Sequence, residues 1–205
     1  MLNSIHTSQR SIAAFLFLLL PLICEAQNGV RWTTNYYAVK GATLPELRQS
    51  IRENRPWKLK HDWDGMTDWQ VKWQFTTVPT PGGCRCSVFT TQTTITITMP
   101  RWVAPTNAPE TVKQIWQHYV TALGQHEAGH VAFALAAAAE VQKQAKEIGE
   151  GADCASLQKR INELAQQAVE SHRQRDKEYD ERTRHGATQG ASLPGRPRRE
   201  RGEER

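Results

Sequence analysis

His126, Glu127 and His130 are the residues whose types and spacing could do chemistry. They lie in a proline-free stretch, residues 112–147, with helical periodicity. Two histidines four apart on a helix point the same way, close enough for both imidazoles to hold one zinc ion. The intervening glutamate is then placed to take a proton from a zinc-activated water, which is the logic of the H-E-x-x-H pattern. The expected chemistry is zinc-assisted hydrolysis with Glu127 as general base. The alternative is a solvated helix carrying two unrelated histidines.

A catalytic zinc takes three protein ligands and keeps one position open. The downstream glutamates do not supply the third, because on an uninterrupted helix Glu150 lies about 36 Å from His126, and Glu140 and Glu147 fail for the same reason. Gly149 and Gly151 end that helix, and Asp153 is placed to cap a second one. Leu157, Ile161, Leu164 and Ala168 give the second helix an apolar stripe as far as the region of Tyr179. So short a connection makes an antiparallel helical hairpin. Matching heights along it sets His130 level with His172 and His126 level with Asp176. The returning end therefore offers His172, Tyr179, Asp180 and His185 as candidates, and geometry alone does not choose between the histidines.

The elements before the hairpin read as a small sheet. Residues 31–40 contain Trp32, Tyr36, Tyr37 and Val39 and form a first strand. Thr43 and Glu46 have capping-box spacing, with Pro45 tolerated in the first turn of a short helix. Trp69, Val71, Trp73 and Phe75 alternate with polar residues, a strand with one buried aromatic face. Residues 87–99 form a long strand with Ile95, Ile97 and Met99 on one face and Thr94, Thr96 and Thr98 on the other, stopped by Pro100. If it is an edge strand, its backbone could pair with an extended peptide. The fold class is α+β: a small antiparallel sheet of three to four strands, packed with a short helix and the long hairpin that carries the motif.

The quoted residues also carry a resemblance. Trp69, Val71 and Trp73, then Pro100-Arg101-Trp102, Trp116 with Tyr119, the His126–His130 motif, and Tyr179-Asp180-x-x-Thr183-x-His185-Gly186 resemble a family of predicted secreted zinc-dependent bacterial proteases, catalogued as a bacterial domain of unknown function. The resemblance spans roughly residues 32–186. It implies zinc held by His126, His130 and His185, with Glu127 as base, and it implies no particular substrate. Asp180 is then expected to orient a ligand imidazole or to act as ligand itself. Tyr179 is expected to donate a hydrogen bond to the developing oxyanion.

The chain has 205 residues and a net charge of +5. Residues 1–26 have a basic lead, an apolar run and a small-residue cleavage site, and read as a signal peptide. The domain proper is 27–186, and 187–205 reads as a disordered basic tail. Glutamates interrupt its arginines and no aromatics are interleaved, so no nucleic-acid partner is expected. The expected location is periplasmic or secreted, and the expected partner is a peptide or protein substrate. An oxidising compartment favours one disulfide, Cys154 with Cys84 or Cys86. The second cysteine of that pair departs from the family pattern. Two other functions share the zinc signature: a non-catalytic zinc-stabilised binding module and an exported amidase acting on cell-wall peptides.

Overall fold

A computed structural model describes residues 25–57 and 63–194. Nearly all of the expected signal segment, residues 1–24, lies outside the described residues. The order is β1 (Glu25–Val39), α1 (Leu44–Asn54), β2 (Met66–Thr80), β3 (Gly83–Trp102), α2 (Glu110–Glu147), β4 (Glu150–Gly151) and α3 (Cys154–Thr183), followed by a 3-10 turn at Ala187–Gln189. This is the expected α+β arrangement of sheet, short helix and long helical hairpin.

β3 is the central strand, flanked by β1 and β2, while β4 pairs with its first residues. β2 and β3 are antiparallel, but β1 runs parallel to β3, so the sheet is mixed rather than wholly antiparallel. Parallel neighbours need a crossover between them, and α1 with the chain leading to β2 supplies it. With β1 and β2 on its two sides, β3 has no free edge there, so the expected pairing of a peptide along residues 87–99 is not available. β3 also continues through Pro100, which lies opposite Tyr37. β2 begins opposite Thr98, so beyond that point β3 has a neighbour on one side only. A residue without an N–H is tolerated at such an edge.

The alternation in β2 and β3 buries Trp69, Val71, Phe89, Ile95, Ile97 and Met99 against the helices. α2 meets them with Val112, Trp116, Tyr119 and Leu123, then changes character. Ala134, Ala137 and Ala138 are almost fully buried, and their small size lets α3 approach closely with Leu157, Ile161 and Ala165. Glu46 accepts from the backbone N–H groups of Ala42 and Thr43 at 2.7 and 3.1 Å, which starts α1. Asp153 caps α3 by accepting from the Ser156 N–H at 2.9 Å.

Cys84 at the start of β3 is bonded to Cys154 at the start of α3. Cys86 is buried outside the bridge, its Sγ 3.4 Å from the Val88 carbonyl oxygen. The bridge is of the kind an oxidising compartment permits. No helix among the described residues is long and apolar enough to cross a membrane.

The stretch expected to start a disordered tail is packed. Ala191 and Leu193 are buried, and the Leu193 carbonyl accepts from Arg48 Nη2 at 2.6 Å. Two apolar anchors and one hydrogen bond to a buried guanidinium tie this polar segment to the core. Residues 195–205 lie outside the described residues.

Candidate functional site

His126, Glu127 and His130 are buried on α2 where it faces α3. Asp176 and Asp180 are four residues apart on α3 and so share one face. His130 meets Asp176 and His126 meets Asp180, one helical turn further along α3 than height matching along the hairpin predicts. The direction of the offset has a simple cause. Side chains lean toward the N-terminus of their own helix, so in an antiparallel pair the two sets lean oppositely, and partners come from positions farther from the hairpin turn.

The Nδ1–H of His130 donates to Asp176 at 2.6 Å, and that of His126 donates to Gln189 at 2.9 Å. Each bond turns Nε2 inward, and the two Nε2 atoms stand 3.2 Å apart. Asp180 Oδ1 lies 3.1 Å from one and 3.2 Å from the other. Two ring nitrogens and a carboxylate oxygen therefore converge, an arrangement that a cation displacing the ring proton would satisfy. Zinc at about 2.0–2.1 Å from its donors needs donor–donor separations of about 3.3 Å in a tetrahedron, so the three separations fit.

Asp180, expected either as ligand or as support for one, is the acid that touches both motif histidines. His185, the expected third ligand, comes to the same place from the other side: its Nδ1 is 3.2 Å from Asp180 Oδ1. Its half-exposed ring lies against Trp63, with centroids 4.5 Å apart. His172 is not brought in. It is buried elsewhere on α3, and burial, together with the nearby Arg175, lowers its pKa.

The turn that returns His185 is unusual. Arg184 and His185 both have φ of 51° and Gly186 has φ of 79°. Left-handed backbone in non-glycine residues costs about 1–2 kcal/mol each. Here it stops α3 and folds the chain back over His126, so that Gln189 reaches its ring.

Burial of His130 disfavours its charged form, but hydrogen bonds to Asp176 and Asp180 and their charges outweigh this and hold its pKa at about 10. Burial works to raise Asp180, yet hydrogen bonds from His126, His130 and His185 keep its carboxyl well below the usual range. Glu127 goes the other way. Its burial raises its pKa, against the lowering effect of a hydrogen bond from Thr67.

Thr67 Oγ1 donates to Glu127 Oε2 at 2.7 Å. Gly65 covers the other oxygen so closely that a Cβ there would stand 2.5 Å from Oε1. The start of β2 thus lies directly on the motif carboxylate. The cleft in front has a volume of about 260 Å³, and beyond the motif and the two aspartates its lining includes Trp63, Gly65, Thr67, Arg173, Lys177 and His185.

Tyr179 is placed differently from the expected oxyanion donor. Its ring stacks on His126 at 5.0 Å, and its hydroxyl donates to the His126 carbonyl at 3.2 Å. It fills the space left by Gly129 and does not line the cleft. Its contacts make it a support for His126.

Sequence reasoning did not assign roles to Asp176, Thr67, Gly65 or Gln189. The four-residue spacing of Asp176 and Asp180 was a usable signal, because it matches that of the two histidines. Thr67 and Gln189 carried none, since each reaches the site from about 60 residues away.

The residues that converge here all fall within one family match, except Gln189. The chain belongs to the family described as a bacterial protein of unknown function, DUF922. That family model matches residues 34–186 and so includes β2, both long helices and His185. Neither the curated proteins nor the solved structures give a match. DUF922 membership assigns no activity.

Proposed function

We propose that the protein is an exported zinc-dependent metallopeptidase, with zinc held by His126, His130 and Asp180 and with Glu127 as general base. The observation that carries this reading is the convergence of His126 Nε2, His130 Nε2 and Asp180 Oδ1 at zinc-like separations, with Glu127 beside them in an open cleft. Zinc bound there would supply a Lewis acid for a peptide carbonyl and would acidify a water toward neutrality.

The chain's own residues would do the rest. Asp176 and Gln189 hold each imidazole with Nε2 inward and so keep both donors in position. Glu127, its basicity raised by burial, accepts the proton of the attacking water and passes it to the leaving amine. Thr67 and Gly65 pack on the two oxygens of its carboxylate and so restrict its orientation beside the cleft. Export would be consistent with the Cys84–Cys154 bridge.

The contact of His185 with Asp180 supports a second reading, in which His185 is a fourth ligand and the zinc is structural and closed. The test is zinc content and casein hydrolysis of the purified mature protein. On the catalytic reading Glu127→Gln keeps stoichiometric zinc and loses turnover, Asp180→Ala loses the metal, and His185→Ala keeps it with weaker affinity. Absence of zinc from wild type, or hydrolysis that survives Glu127→Gln, overturns the proposal. Loss of zinc in His185→Ala together with inertness of wild type toward casein favours the closed site.

A further inference from the structure

Arg48 and Asp64 form an ion pair of 2.8 Å, with side chains only 6% and 9% exposed. Neither belongs to the cleft's chemistry, and removing two charges from water is expensive, so the pair needs a reason. Its partners show where its influence goes. Asp64 Oδ2 also accepts from the Tyr119 hydroxyl at 2.9 Å, and the Asp64 carbonyl accepts from the Tyr37 hydroxyl at 2.6 Å. Burial, followed by the negative charge of Asp64, pushes both tyrosines up, so both stay protonated donors. Asp64 is thus held from β1, α1 and α2 at once, and the next residue is Gly65, which lies on Glu127.

The other end of Arg48 reaches the second support. Its Nη2 donates to the Leu193 carbonyl at 2.6 Å. Leu193 is fully buried and ends the segment whose Gln189 accepts from His126 Nδ1. One guanidinium therefore ties together the two pieces of chain, residues 64–67 and 186–193, that contact Glu127 and His126 respectively.

We propose that Arg48 and Asp64 are positioning residues of the active site: through Gly65 they set the Glu127 carboxylate, and through Leu193 and Gln189 they fix the His126 ring for the metal. This rests on the metallopeptidase reading for the identity of the metal. An Arg48 that acts only on general stability would not share its effect with Gln189, whereas one that acts through the strap must.

The decisive measurement is zinc affinity by chelator competition on the full mature chain, for wild type, Arg48→Met, Gln189→Ala and the double variant. The expected result is a loss of about 10- to 100-fold in affinity for each single variant, the scale of losing a support to a ligand imidazole, with the double variant no weaker than the worse single one. An unchanged affinity in Arg48→Met, or losses that multiply in the double variant, overturns the inference. Because Arg48→Met leaves a buried carboxylate unpaired, Arg48→Met with Asp64→Asn serves as a second variant that keeps the Tyr119 acceptor and no buried charge. It should show the same dependence on Gln189. A wild-type protein that binds no zinc overturns the functional reading and this inference together, whereas zinc binding indifferent to Arg48 overturns this inference alone.

Discussion

The Nδ1 of His130 stands 2.6 Å from the carboxylate of Asp176, a bond made across the hairpin between residues 46 positions apart. It fixes the tautomer that presents Nε2 to His126 and Asp180. Asp176→Ala should lower zinc affinity by about 10- to 100-fold and leave the fold intact, as read by chelator competition beside a thermal melt. Full affinity in that variant would remove Asp176 from the centre.

The same histidine sets a pH dependence. Burial works against its charge, but Asp176 and Asp180 keep the proton on His130 up to about pH 10. A cation must displace that proton, so the sign is fixed: apparent zinc affinity rises with pH below about 10, by about tenfold per unit for one displaced proton. Zinc titrations between about pH 6 and 9 measure the slope. A flat dependence would show that His130 does not exchange a proton for the metal.

Gly65 gives a test of Glu127 that leaves every proposed ligand untouched. A Cβ at this position meets Glu127 Oε1 at 2.5 Å and Leu123 Cδ1 at 3.2 Å, so Gly65→Ala must push the carboxylate out of place. Zinc content should stay stoichiometric while casein hydrolysis falls by about 100-fold, the scale of losing a positioned base. Equal activity would mean that Glu127 is free to reorient.

The disulfide closes a loop across 70 positions of sequence. The chain-entropy relation gives about 4 kcal/mol for a loop of that size. In a domain this large each kcal/mol shifts the midpoint by roughly 2–4 °C, so Cys154→Ser should lower Tm by roughly 10 °C. A melt unchanged by the substitution, or by reductant, would show that the bridge is not formed in the purified protein.

Sequence alone was enough for the parts of this protein that depend on local period and spacing. The i, i+4 histidines, the alternation in β2, the glycines that end α2 and the Asp153 cap are each decided by neighbours a few residues away. Chain length by itself excluded Glu140, Glu147 and Glu150 and required a returning helix. Sequence could not decide quantities that depend on which surfaces meet. The opposed lean of side chains on two antiparallel helices moved the register by one turn, bringing Asp176 and Asp180 to the motif and leaving His172 behind. The parallel pairing of β1 followed from β3 taking the centre of the sheet. Gln189 came from a segment whose composition reads as disordered, held by Leu193 and a buried arginine 145 positions away. Such contacts are made by the packed chain as a whole, and no local pattern encodes them.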